Sequence, residues 1–466
     1  MDFRFSQLWR FDRSLDRGGY AAAGIVLMLI KYNLDRLTAG LFGYAWSPFR
    51  YLKARPAQIV AESGATETQF YGVLIALALP FIWAGLSLTI QRLRSVGLPL
   101  WLVCLFFVPV VNLFFFAALC VLPANLADQS TVGPPNRGPV KAFLDRVMPR
   151  SSTGSAGMAM LLTGFVGVLA VTVSVVGFNQ YGLGIFVGMP FCLGLMAALL
   201  HAYHQRRSYR ECLSVAILSV AFLALLLVWL AIEGLICIVM AAPIGLVLAI
   251  MGASVGYTIQ QLGRGSSNAS GVLPIIMFLL PGLMGAEAAA PVGPPVYAVV
   301  TAVEIDAPPD RVWRHVITFS ELPVPDELIF RLGVAYPVRA VIKGQGVGAI
   351  RHCVFSTGPF VEPITVWDAP RLLKFDVTAQ PPAMQELSPY GAINAPHLDN
   401  FLVSQGGQFA LTALPGNRTR LEGTTWYHHN IWPASYWRMY SDAIIHDIHA
   451  RVLDHIKHLT EQEHRG

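Results

Sequence analysis

The chain changes character near residue 290, and that break constrains its fold more than any single motif. From Met1 to about Ala290 it is a succession of long apolar runs. From about Pro291 it shows strand-length alternation, charged turns and a long amphipathic stretch at its end. Charge follows the same break. Residues 1–290 hold 19 Lys+Arg against 11 Asp+Glu, residues 291–466 hold 14 against 17, and ten of the 12 histidines lie in the second part. Such a chain is expected to form a multi-pass α-helical membrane region followed by a soluble α+β domain. Three segments are expected: 1–140, 150–290 and 291–466. A charged fraction of 13% agrees, being about half the roughly 25% of ordinary soluble proteins. The net charge of +5 does not point to nucleic acid, because the basic excess sits in loops beside apolar runs, where it orients a membrane protein. The expected partner is a lipid bilayer, not nucleic acid.

A helix needs ~20 apolar residues to cross the hydrocarbon core. Runs of that kind are expected to span at about 69–91, 98–122, 157–177 and 181–203. The run 212–261 is too long for one helix, and Glu233-Gly234 divides it into spans near 212–232 and 235–260. Two further stretches are marginal. Residues 20–43 carry Lys31, Asp35 and Arg36, so they span only if those charges pair or face other helices; otherwise they form an interfacial or re-entrant helix. Val272 to Ala286 is short and holds Pro274 and Pro281. The loops 123–156 and 204–211 carry Arg137, Lys141, Arg146, Arg150, Arg206, Arg207 and Arg210, whereas the turns 178–180 and 233–234 carry no Lys or Arg. The positive-inside rule puts the basic loops, and Arg264 after them, in the cytoplasm. If 272–290 crosses, the soluble domain is extracytoplasmic; if it lies in the interface, the domain is cytoplasmic. Ala286 to Ala290 reads either as an Ala-rich linker or as a signal-peptidase site.

Five of the six cysteines lie in or beside apolar runs, where a free thiol behaves as a small hydrophobe. There is no C-x-x-C pair, so neither a metal site nor a cofactor is expected.

Gln91 to Trp101, with Arg92, Leu93, Arg94, Ser95 and Gly97, stands before an apolar run that is followed by Gly133, Pro134, Pro135, Asn136, Arg137 and Gly138. Residues 1–140 thereby resemble the bacterial inner-membrane family known as domain of unknown function 805. Arg94 and Ser95 stand where that family carries His and Asp. The resemblance implies a bacterial cytoplasmic membrane and no known activity.

Beyond the break, Tyr297 to Asp306 alternates as a strand, and Pro309 or Asp310 starts a short helix through Val316. Strands are expected near 338–343, 348–356, 361–367, 372–379, 407–414 and 419–428, punctuated by Gly344 to Gly346, Thr357 to Pro359, Ala369-Pro370 and Pro415 to Asn417. A last helix is expected from about Ala434 to Gln462, with Ile445, Ile448, Val452, Ile456 and Leu459 forming one apolar stripe. This order implies an antiparallel sheet wrapped around a long C-terminal helix, with room for a cavity between them.

The opening Glu304 to Trp313, the Gly344-x-Gly346-x-Gly348 turn, Trp367 to Phe375, Thr419 to Leu421 and the terminal helix together resemble the START-like, or SRPBCC, superfamily over residues 296–462. The resemblance implies a helix-grip fold that binds a hydrophobic small molecule. It carries over no catalytic residue.

Candidate cavity residues are Arg351, Cys353, Phe355, Glu362, Trp426, Tyr427, His428, Tyr440 and His449. Arg351 and Glu362 sit on an expected hairpin turning at about 358–359. With Phe355 opposite Glu362, they share an apolar face but lie roughly 13 Å apart along it, too far for a direct ion pair. Whether that face lines the cavity or meets solvent stays open, since a one-residue slip would turn either strand over. His446 and His449 share a helix side without a third metal ligand, so core-edge packing or a polar ligand contact suits them better. Of His428 and His429, at most one points inward. The aromatics from Trp426 to Trp437 either pack the core, seat a flat ligand or rest at a membrane interface. Three functions are compatible with this pattern: membrane-tethered binding of a hydrophobic or amphipathic molecule as sensor, carrier or lipid handler; a polyketide-cyclase-like enzyme using Glu362, His428 or His449 as acid or base; and a transporter with a soluble regulatory domain.

Overall fold

The computed structural model describes residues 11, 14–44, 46, 65–107, 111–122, 139–262, 265–289, 293–388, 395–398 and 401–465. Several positions singled out above lie outside the described residues: Gly133 to Gly138 with Arg137, Arg264 and Ala290. The chain divides into two compact units. One comprises Met1–Leu226 with Ala241–Val292, the other Leu227–Met240 with Gly293–Gly466.

The apolar part is helical: α1 (Arg17–Leu41), α2 (Ala65–Val96), α3 (Val111–Val121), α4 (Pro139–Val147), α5 (Ser152–Thr172), α6 (Met189–His201), α7 (Tyr209–Trp229), α8 (Leu235–Leu262) and α9 (Gly265–Ala289). Among the described residues, six helical stretches are long and apolar enough to cross a membrane: Gln69–Val96, Ser152–Gly177, Gly184–His201, Tyr209–Trp229, Leu235–Gln261 and Val272–Ala289. The stretch 98–122 departs from expectation. It is a 3-10 helix, Leu100–Phe107, and then the separate 11-residue α3. Residues 108–110 lie outside the described residues.

In α1 the charges that burdened a span are partly neutralised internally. Lys31 pairs with Asp35 one turn on, and Asp35 is fully buried. Asp16 starts the helix by accepting from the amides of Gly18 and Gly19. The Gln91–Trp101 motif has a structural role in the same unit. Arg92 is fully buried, and its guanidinium donates to the carbonyls of Leu15, Leu119 and Leu122 and to Ser95 Oγ, tying three chain segments together. Buried Glu287 near the end of α9 accepts from the amides of Leu183 and Gly184, 2.9 Å each. Ala286 to Ala289 is therefore helical, continuous with α9.

The second unit holds β1 (Val296–Ile305), α10 (Pro309–Ile317), α11 (Leu328–Arg331), β2 (Pro337–Lys343), β3 (Ile350–Phe355), β4 (Gly358–Asp368), β5 (Leu372–Asp376), β6 (Leu402–Leu414), β7 (Arg418–His429) and α12 (Ala434–Arg465). The seven strands form one antiparallel sheet in the order β1-β7-β6-β5-β4-β3-β2. Curled around α12, this sheet is consistent with a helix-grip fold. β6 begins five residues earlier than its alternation indicated, because Ser404 to Gly406 carries a bulge that breaks the period. Between β2 and β3, Gly344, Gly346 and Gly348 all have positive φ (93°, 79° and 88°), which is why that turn alternates glycine. Leu421, Leu453, Ile456, Leu373, Ile305, Val312 and Val316 form the centre of the core, each fully buried. They seal one end of the space between sheet and helix.

Candidate functional site

The other end of that space is open. A cavity of ≈ 220 Å³ lies between the sheet and α12. Its walls are mostly apolar, with Phe355, Phe360, Phe375 and Phe409 from the sheet and Ile444, Ile445 and Ile448 from α12. A polar minority includes Arg351, Glu362, Thr424, Thr425, His429 and His449.

Arg351 and Glu362 stand directly opposite each other in the β3–β4 register and form an ion pair. This corrects the expected separation of roughly 13 Å. The hairpin closes through Ser356 and Thr357, so Phe355 faces Gly358, not Glu362. The slip relative to the expected register is four residues. An even slip keeps each side chain on its face, which is why the shared face was right and the distance wrong. The guanidinium lies over the rings of Phe319, Phe375 and Phe409, 5.4–5.7 Å from their centroids. Arg351 is 2% exposed, and its Nε has no hydrogen-bond partner among the described residues. Burial pushes the Glu362 carboxyl above the usual carboxylate range, with Arg351 pulling it back.

Arg351, Cys353, Phe355, Glu362, Tyr440 and His449 thus come together around the cavity. Trp426, Tyr427 and His428 do not line it. Tyr427 is fully buried against Tyr297 and Ile445, and its hydroxyl meets Ser441 Oγ and donates to Asp442. Strand alternation turns Trp426 and His428 to the other face. There Lys374 Nζ lies 5.1 Å from the Trp426 ring centroid, and His428 Nδ1 meets Gln405. His429, buried at 2% exposure, is the histidine of that pair at the cavity. His449 Nε2 meets Thr425 Oγ1 at 2.7 Å and its Nδ1 meets Thr301 Oγ1 at 3.2 Å. Burial, with neighbouring His446 adding to it, lowers the His449 pKa to about 4. His446 is exposed and shares only Thr301 with it, so the two do not chelate.

A second polar group, at the cavity edge, has no local signature in the sequence. His397, in the 3-10 turn Pro396–Leu398, meets Cys237 of α8, Glu386 and Glu233. Burial opposes its protonation, but hydrogen bonds from these three partners outweigh that and hold its pKa up to about 12. Cys237 and His397 are 160 residues apart, so no local spacing could reveal the group. The one available signal was Glu233, an acid in an otherwise apolar run.

No family model and no curated protein matches the chain. Among solved structures, a point mutant of norcoclaurine synthase from Thalictrum flavum, in complex with a transition-state analogue, is 16% identical with a TM-score of 0.25. That match covers 38% of this chain and 99% of the other. The Zhui aromatase/cyclase from Streptomyces sp. R1128 is 15% identical with a TM-score of 0.24, covering 36% and 95%. The XoxI protein from Bacillus cereus is 15% identical with a TM-score of 0.23, covering 35% and 94%.

Proposed function

We propose that this chain is a membrane-tethered binding protein whose soluble unit takes up a hydrophobic or amphipathic small molecule, as a sensor, carrier or lipid handler. The observation that carries this reading is the apolar cavity between sheet and helix with one buried ion pair in its wall. Ligand sites of this kind combine apolar walls with a few fixed polar groups that set orientation. Here the apolar walls would hold a ring or chain, and the buried Arg351 N–H would receive a polar head. At ≈ 220 Å³ the cavity is smaller than the roughly 300–1,000 Å³ of drug-sized pockets. The occupant is therefore compact or inserts only in part. Tethering raises the effective concentration of a membrane-dissolved ligand at the cavity mouth.

His449 favours one second reading, an acid/base enzyme of the polyketide-cyclase type. A cavity imidazole kept neutral at physiological pH can accept a proton. His428 is not part of this reading, since it lies away from the cavity. The deciding experiment is untargeted mass spectrometry of small molecules extracted from the purified full chain. One retained lipid-like species supports binding, and paired species related by a chemical step support the enzyme. An empty wild-type protein that also fails to bind fluorescent lipid analogues would sink both.

A further inference from the structure

Four side chains of ligating chemistry, three of them buried and Cys237 half-buried, converge at the edge of the cavity, and hydrophobic binding makes no use of them. Cys237 lies in the first turn of α8, and Glu386 and His397 lie in the connection between β5 and β6. Cys237 Sγ is 2.9 Å from His397 Nε2, and Glu386 Oε1 is 3.2 Å from the same nitrogen. The three donor atoms all lie within 4.8 Å of one another. Metal–ligand bonds of about 2.0–2.3 Å in tetrahedral geometry place neighbouring donors roughly 3.3–3.6 Å apart, so small shifts suffice. A second observation points the same way. The other ring nitrogen of His397, Nδ1, is 3.0 Å from Glu233 Oε2. Metal-bound histidines characteristically give that second N–H to a carboxylate, which fixes the tautomer and aims the free lone pair at the ion. Glu386, Glu233 and His397 are 2%, 6% and 8% exposed, so this is a built, interior arrangement.

We propose that Cys237, Glu386 and His397 bind a divalent cation of the zinc class, with Glu233 orienting His397. A thiolate and an imidazole select against magnesium and calcium, which take oxygen ligands. Three protein ligands leave a coordination position, the pattern of zinc sites that engage water or substrate. Cys237 and His397 both line the cavity, so that position is accessible to water or to an oxygen donor of a cavity ligand. The proposal does not depend on which hydrophobic molecule the cavity takes. Its rival is a metal-free cluster, with a protonated His397 held between two carboxylates.

The test uses the full chain in detergent, purified from zinc-supplemented cells, with metal counted by mass spectrometry. Chelator-treated protein is then titrated with Co²⁺ and followed by absorption. The expected result is close to one zinc per chain and a thiolate-to-cobalt charge-transfer band. Cys237→Ser abolishes the band and Cys104→Ser leaves it unchanged. Glu233→Gln weakens affinity about 10–100-fold while preserving the spectrum at saturation, as removal of an orienting partner does. A zinc-free wild-type protein with no such band at saturating Co²⁺ overturns the site, as does a band that survives Cys237→Ser. The wild-type arm requires no variant to fold.

Discussion

Arg351 and Glu362 illustrate how a buried pair constrains a cavity wall. Removing one partner leaves the other charged and desolvated, which typically costs about 3–5 kcal/mol. Arg351→Ala is therefore expected to lower the thermal midpoint sharply, and Arg351→Met with Glu362→Leu to recover most of it. Equal midpoints for the single and double variants would show that the pair is not coupled. His449 gives a pH-dependent expectation at the same scale. Its pKa of about 4 when folded lies below its ordinary 6.5, so between those values the unfolded chain binds the extra proton. Its contribution is complete above pH 6.5 and is lost as pH falls toward 4, by about 1.4 kcal/mol per unit of displacement. The groups around it, Thr301, Thr425 and exposed His446, offer no carboxylate to counter this. Wild type should lose more stability than His449→Gln between pH 7 and 4.5 in thermal scans, and parallel slopes would refute the assignment. What the sequence revealed here was facing, since alternation fixes parity. It could not reveal partners, because pairing depends on where the hairpin closes, and Ser356 and Thr357 close it, whereas the turn was expected at about 358–359.

The terminal helix shows a similar division at the scale of an element. Its 3–4 periodicity marked Ile445, Ile448, Val452, Ile456 and Leu459, and α12 does face the sheet with them. Leu453 was not part of that stripe, yet it is fully buried at the centre of the core. A concave sheet covers a wider arc of helix than a flat partner would. Leu453 and Ile448 both line the cavity, but Leu453 is fully buried in the core and Ile448 is not, so substitutions should separate packing from ligand contact. Leu453→Ala removes core volume and should cost about 2–5 kcal/mol. Ile448 lines the cavity and is only partly buried; Ile448→Trp should fill that space and reduce recovered ligand more than it lowers the thermal midpoint. If Ile448→Trp retains a full complement of small molecule, the ligand lies elsewhere. The apolar runs were legible as helices for the same reason as α12, by length and pattern. The run 98–122 misled because its composition suits a span, although Leu100–Phe107 folds as a 3-10 helix and not as part of a long α-helix.

At the scale of the whole chain, two routes predict the same side of a membrane for the second unit. The first is the count of spans. If α7 and α8 both span, they return the chain to the side of the basic segment 204–211, and α9 is a single helix whose Val272–Ala289 stretch is long enough to cross once more. The second is independent of α9. The turn between α7 and α8 belongs to the soluble unit: Leu235 N–H donates to Leu387 O at 3.1 Å, and Glu233 meets His397. That turn holds no Lys or Arg, while the loops at the far ends of α7 and of α5 are basic. Hydrogen bonds of this kind require the soluble unit and the turn to share one side. If the apolar helices span a membrane, the positive-inside rule predicts that side to be extracytoplasmic. Phosphatase fused after Gly466 should then be active and green fluorescent protein at the same site dark, with the reverse for fusions after Leu262. Fluorescence at both positions would place the soluble unit in the cytoplasm. It would also require the Leu235–Leu387 and Glu233–His397 contacts to be broken in the membrane-embedded protein, which cross-linking between cysteines introduced at Ile236 and Leu387 would test directly.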